Sequence, residues 1–248
     1  MESKCFLLFF VVLVLVEISY AKLPSSITTC PRNHPEINTC IIAAVNHVQP
    51  LLVKGDLGDG YHTLPLEPLE LDNIEMGRGR EFKAIFSDLS VRGGSNFIID
   101  KLVANTTTIS FDVYLTIPKI SFVGKYYLRI KILLLEIGGK GNMTGTFENS
   151  KAVVKMRGSR YIKDGVEYVK FSKMPMRISV DKMKLNLENL FNGDKVLGEV
   201  GNNIINDNQD LYLQEIIPGL EKGLSRKFLG IANQILETAT YDEMFPPN

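Results

Sequence analysis

The sequence predicts an α+β fold in which a long C-terminal helix is wrapped by a highly curved antiparallel sheet. Three observations predict it. Residues 211–236, "LYLQEIIPGLEKGLSRKFLGIANQIL", place Leu213, Ile217, Leu220, Leu224, Phe228, Ile231 and Ile235 at intervals of three or four, the spacing of one helical face. From about Leu69 to Leu187 apolar and polar residues alternate, as they do in strands with one buried face. Finally, the helix carries Pro218, Gly219, Gly223 and Gly230, and each glycine costs about 1 kcal/mol against alanine, so propensity alone would not form it. Burial must. At 1.5 Å per residue the stretch is ~40 Å long, so a surrounding sheet has to cover it from end to end. Strands followed by a terminal helix make an α+β order rather than a βαβ series. Wherever the inner side chains of such a curled sheet fall short of the helix, an apolar tunnel remains.

The elements follow in order. Residues 1–21 have the three-part layout of a secretory signal: Lys4 in a short polar start, the apolar run Cys5 to Val16, then Ser19-Tyr20-Ala21, with cleavage expected after Ala21. One domain over 22–248 is expected to remain, and no later run approaches a membrane-spanning length. Ile37, Ile41, Ala44, Val45, Val48 and Leu52 keep helical spacing, which predicts a helix starting near Pro35 and stopping before Pro50. "KGDLGDGYHTLPLEPLEL" is loop, and Asp56 and Asp59 in it are read as turn residues because the oxygen ligands of a calcium loop do not follow. In the strand region Phe111, Val113, Leu115 and Ile117 share one face, as do Leu128, Ile130, Ile132 and Leu134. The alternation jumps phase between Val180 and Met183, which suggests a bulge near Asp181-Lys182. Gly93-Gly94, Gly138-Gly139 and Asp164-Gly165 are expected at turns. "DKVLGEVGNNIIN" is a shorter amphipathic helix leading into the long one.

Composition narrows the function classes. Lys plus Arg and Asp plus Glu both number 28, and the basic residues are dispersed, so nucleic acid is a poor partner and an anionic surface gains little attraction. Once Cys5 leaves with the signal, Cys30 and Cys40 remain, an even count that reads as one disulfide outside the cell. Free thiols or a zinc site fit less well, since two cysteines do not complete a tetrahedral shell and the histidines show no ligand spacing. The sequons at Asn105 and Asn142 predict surface asparagines open to glycosylation. No Gly-x-Ser-x-Gly elbow is present and His34, His47 and His62 cluster near the N-terminus, which argues against an enzyme; no metal or cofactor is implied.

The tail, "LFNGDKVLGEVGNNIINDNQDLYLQEIIPGLEKGL" with "TYDEMFPPN", resembles the C-terminal signature of the insect takeout and juvenile hormone binding protein family. The pieces that carry the resemblance are Leu190-Phe191-Asn192-Gly193, Leu197-Gly198, Asn206-Asp207-Asn208, Pro218, Tyr241-Asp242-Glu243 and Phe245-Pro246. The resemblance implies the tubular lipid-binding (TULIP-like) architecture and a secreted carrier of small hydrophobic molecules, such as juvenile hormone, other terpenoids or fatty-acid-like lipids, in hemolymph or sensory fluids. It also implies links to circadian, feeding or chemosensory physiology. Two mature cysteines fit the takeout branch better than the hormone-binding proteins proper. The chain departs from many relatives in having no tryptophan after Asn208, nor anywhere else. The expected tunnel lining comprises Phe111, Val113, Leu115, Ile117, Leu128, Ile130 and Ile132 from strands, Leu220, Leu224, Phe228 and Ile231 from the helix, and Met174, Met176 and Met183 as adaptable walls. Ordinary core is the competing reading for each of them. The alternative function is docking on a cell-surface receptor or a lipid surface without carrying cargo, and no stable membrane insertion is expected in either case.

Overall fold

The alternating segment forms an eight-stranded antiparallel sheet, bracketed by the helices that the 3.6-residue periodicity marks. The computed structural model describes residues 23–78, 82–132 and 135–247, so the expected signal segment 1–21 lies outside the described residues. In chain order the elements are α1 (Ile37–Leu52), β1 (Leu69–Leu71), β2 (Ile74–Arg78), β3 (Phe82–Arg92), β4 (Ile98–Asn105), β5 (Ser110–Ile132), β6 (Leu135–Lys163), β7 (Val166–Lys173), β8 (Met176–Leu187), α2 (Lys195–Asp207), α3 (Gln209–Leu236) and α4 (Tyr241–Met244). The strand region begins at Leu69 and ends at Leu187, as the alternation predicts.

Strands β5 and β6, of 23 and 29 residues, pair with one another from Ser110↔Arg157 to Ile132↔Leu135 and form the spine of the sheet. Each divides its outer edge between two shorter strands. β4 pairs the first part of β5 and β3 the second, while β8 and then β7 pair β6. β1 and β2 both pair β3. Strands several times the usual length accumulate enough right-handed twist to curl the sheet on itself.

A crease crosses three strands at one level. Inward residues are odd-numbered up to Ile117 in β5 and even-numbered from Ile120, and the same inversion occurs in β6 around Asn149 and in β8 around Asp181. Because all three strands invert together, the pairing register does not shift: Ile117↔Ser150 and Lys119↔Glu148 flank Pro118, and Val180↔Ser150 and Lys182↔Glu148 flank Asp181. Pro118, without an N–H, sits where β5 passes from β4 to β3. Asn149 takes φ 50°, a conformation asparagine tolerates, and its amide donates to the Asp181 carboxylate. The phase jump read from the sequence is therefore real, but its cause is a concerted inversion rather than a bulge of β8 alone. Register shifts lie elsewhere, between Ser87 and Ser90 of β3, between Ile99 and Lys101 of β4, and between Arg157 and Gly158 of β6.

Two further expectations are corrected. Gly138 and Gly139 are inside β6, not at a turn, and a Cβ on Gly139 would lie 2.9 Å from both the Asn189 carbonyl oxygen and the Tyr126 hydroxyl. The pair marks close approach. Helix α1 runs through Pro50 to Leu52, because a proline in the last turn removes a single helical bond, and Gln49 Nε2 fastens that turn to the carbonyls of Ser95 (2.6 Å) and Phe97 (2.9 Å). Asp164 and Gly165 do make the tight hairpin turn, with φ of 51° and 79°.

Candidate ligand-binding interior

A curled sheet that does not close leaves two exposed edges, and both edges here are covered by helices. Along β8 and β7 the helix side chains stand in for the missing neighbour strand. Asn202 Oδ1 accepts from Leu187 N at 2.8 Å while its Nδ2 donates to Leu187 O at 3.0 Å, and Asn206 repeats the pattern on Leu185 at 2.8 and 2.9 Å. Gln209 accepts from Met183 N (2.6 Å) and donates to Asp181 O (3.2 Å). Further along, Glu221 accepts from Ile178 N (2.9 Å), Ser225 donates to Met174 O (2.7 Å), and Asn233 brackets Phe171 at 2.8 and 3.0 Å. The match is geometric: four helix residues rise about 6 Å and two strand residues about 6.7 Å, so amides at i and i+4 meet alternate strand residues. An otherwise bare edge is thereby satisfied.

The opposite edge is closed differently. Ile74 and Met76 of β2 pack on α3, where a Cβ on Gly219 would come within 2.3 Å of Met76 Cγ and Sδ. That glycine is needed for β2 to approach. Where β2 ends, α1 takes over against β4, with Asn38 Oδ1 accepting from Ala104 N at 2.8 Å. The Cys30–Cys40 disulfide ties the first turn of α1 to a segment whose Arg32 lies over the Tyr241 ring at 4.5 Å, donates to Phe245 O at 3.0 Å and pairs with Asp242. N-terminus and C-terminal tail are thus clamped together at one end.

Inside this wrapper are two packed clusters. One gathers Ile74, Met76, Leu128, Ile130, Met183, Tyr212, Leu213 and Ile216 among others, and the second gathers Phe111, Phe171, Met174, Leu236, Tyr241 and Phe245. Of the expected lining, Phe111, Leu128, Ile130, Met174 and Met176 are buried; Val113 and Phe228 pack against the second cluster and Leu220 against the first. Leu115, Ile117, Leu224 and Ile231 are half-buried and belong to neither cluster, although Leu115 and Ile117 share the inward face of Phe111 and the helix pair lies off the exposed stripe of Gln214, Pro218, Lys222 and Arg226. The Ile132 side chain lies outside the described residues.

A cleft of about 480 Å³ opens between β8 and α3, lined by Arg177, Ile178, Ser179, Val180, Asp210, Leu213, Gln214, Ile217, Pro218 and Glu221. Glu221 is buried and bridges Arg177 Nη1 at 2.7 Å and Ile178 N. Sequence reasoning missed the cleft, and missed the amide seam as well. The signal for the seam is Asn202, Asn206 and Gln209 at helical spacing, a polar stripe on an inward face. Burial pushes the Tyr212 hydroxyl up to about 12, so it stays a neutral group at physiological pH.

The remaining polar candidates serve structure. Ser95 Oγ donates to Glu67 Oε1 at 2.7 Å, and Gly93 N and Ser95 N donate to the same carboxylate. Burial alone would raise the pKa of Glu67, but the Ser95 and Gly93 bonds together hold it below its ordinary value. Asp56 accepts from Gly58 N, a local turn bond, while Asp59, at φ 52°, accepts from Ser25 N far away in the chain. Asn105 and Asn142 are exposed.

The family model described as haemolymph juvenile hormone binding protein matches residues 5–246. The circadian clock-controlled protein daywake of Drosophila yakuba is 22% identical over 191 residues, covering 73% of this chain and 74% of that one. Its Drosophila melanogaster counterpart is 24% identical over the same coverage. The crystal structure of Epiphyas postvittana Takeout 1 superposes with a TM-score of 0.77 at 20% identity, over 88% of this chain and 99% of that one, and shares this fold.

Proposed function

The chain belongs to the haemolymph juvenile hormone binding protein family, and from that premise we propose that it is a secreted carrier of an elongated apolar ligand held between the sheet and α3. The observation that carries the proposal is the level between the two clusters, where Leu115, Ile117 and Leu224 are half-buried and belong to neither cluster. Removing ligand hydrocarbon from water supplies roughly 25 cal/mol per Å², before the costs of immobilisation. A few hundred Å² is enough for micromolar affinity without a charged anchor. Such a site discriminates chain length loosely, since one methylene is worth only about 1 kcal/mol. The ligand classes that fit are juvenile hormone, other terpenoids and fatty-acid-like lipids, carried in hemolymph or sensory fluid, and the daywake relatives support a role in circadian output, with feeding and chemosensation as its neighbours. Glycans on Asn105 and Asn142 would project from the outer surface.

The test is solvent extraction and mass spectrometry of the protein purified from its native fluid, beside a control protein from that fluid. A stoichiometric apolar compound is expected; an empty protein that also refuses terpenoid and fatty-acid probes would refute the carrier. One observation favours the docking alternative: α2 turns Val196, 72% exposed, together with Leu197 and Val200 outward. Liposome flotation separates the two, a soluble carrier staying with the aqueous fraction. Among the described residues no helix is long and apolar enough to cross a membrane.

A further inference from the structure

The row Ile117, Ser150 and Val180 crosses β5, β6 and β8 in register beside the crease. Asn149 and Lys151 are exposed, so Ser150 between them points inward, and it is 4% exposed. Its Oγ has no hydrogen-bond partner among the described residues. An unpaired hydroxyl in an apolar interior is a standing cost to the fold and calls for an explanation. Its strand neighbour Val180 lines the cleft between β8 and α3, and one more polar group comes free at that level. Helix side chains bond the β8 backbone at Met183 and at Ile178. Val180 lies between these two anchors, and no described helix side chain bonds its backbone. Across the cleft Pro218 has no N–H, so the carbonyl of Gln214 lacks its helical donor. Two unspent polar groups, the Ser150 hydroxyl and the Gln214 carbonyl, thus flank an apolar floor of Leu213, Ile217 and Val180.

We propose that this level is the seat of the polar end of the ligand, that the ligand is a neutral lipid alcohol, and that it enters sideways through the cleft. The inference rests on the carrier reading and adds the head-group chemistry and the route. A hydroxyl is the smallest group that both donates, to the Gln214 carbonyl, and accepts, from Ser150 Oγ. A carboxylate is disfavoured, because Arg177 is already paired with Glu221 and Asp210 is the remaining charge among the cleft residues. The chain of the alcohol then runs along Leu115, Ile117 and Leu224.

The experiment displaces a naphthylamine fluorophore from the mature protein with dodecanol, dodecanoate and dodecane. Wild-type protein should bind dodecanol at least about fivefold tighter than dodecanoate, the worth of one opposed charge near a wet surface. In Ser150→Ala dodecanol should weaken about fivefold while dodecane is unchanged and the melting temperature does not fall, since the change removes an orphan rather than a bond. Gln214→Trp, at an exposed position, should slow dodecanol uptake about tenfold by filling the mouth. Equal losses of dodecanol and dodecane in Ser150→Ala would overturn the proposal as wall repacking. Dodecanol binding that both substitutions leave untouched would overturn it while the carrier reading stands. Failure of the fluorophore and of all three compounds to bind would remove the carrier reading, and this inference with it.

Discussion

Replacing Asn206 by alanine tests whether helix amides hold the sheet edge. The substitution deletes the bonds of 2.8 and 2.9 Å to Leu185 N and O, leaving both backbone groups facing a half-buried helix surface. Each lost bond costs about 1 kcal/mol net, and partial desolvation of the orphaned groups brings the expected loss to about 2–3 kcal/mol. For a chain of this size that lowers the melting temperature by roughly 4–12 °C. Urea denaturation with a common slope measures it, with Asn203→Ala on the exposed face as the control expected within about 0.5 kcal/mol. Asn206→Asp sharpens the test: one oxygen still accepts from Leu185 N, but the other opposes the Leu185 carbonyl. Its folded pKa is therefore raised above the unfolded value, so the destabilisation is full above the folded pKa, fades as pH falls through it and is gone below the unfolded value near 4. A loss under about 0.5 kcal/mol in Asn206→Ala would mean that water satisfies the edge equally well, and the seam argument would fall.

Three further outcomes are expected. Gly219→Ala should cost about 1–3 kcal/mol by overpacking against Met76, despite the better helix propensity of alanine, and in a Met76→Ala background the same change should cost little, a coupling that a double-mutant cycle reads. Glu67 has a folded pKa below its ordinary value of 4.5, so its contribution is present above that value and lost as pH falls through the folded pKa; Glu67→Gln should flatten the acid limb of a stability-versus-pH curve. Paired Cys30→Ser and Cys40→Ser should lose roughly 2–3 kcal/mol, and limited proteolysis should then cut near the Arg32 segment first, because the short disulfide loop is what couples α1 to the C-terminal clamp.

Periodicity is a local property, and what rests on it was legible from residues alone. The helical stripe from Leu213 to Ile235, the alternation from Leu69 to Leu187, the Asp164-Gly165 turn and the cysteine pair each carry their own signal over a few residues. The phase jump after Val180 was visible for the same reason. Its meaning was not, because the same inversion at Pro118 and Asn149 matters only once pairing puts those residues in one row. Gly138-Gly139 misled because glycine serves turns and close approaches alike, and only the Tyr126 hydroxyl and the Asn189 carbonyl beside Gly139 decide between them.

The candidate site divides the same way. Sequence by itself determined that Phe111, Leu115, Ile117, Leu128, Leu220 and Leu224 face an apolar interior, since face is fixed by spacing. Only the tertiary structure decided that Phe111 and Leu128 are packed while Leu115, Ile117 and Leu224 stay half-buried outside both clusters, because that depends on how far the curled sheet stands from α3 at each level. Ser150 shows the limit most clearly: a serine in an alternating strand reads as surface or turn chemistry, and it becomes an unpartnered buried hydroxyl only when a concerted inversion of three strands turns it inward.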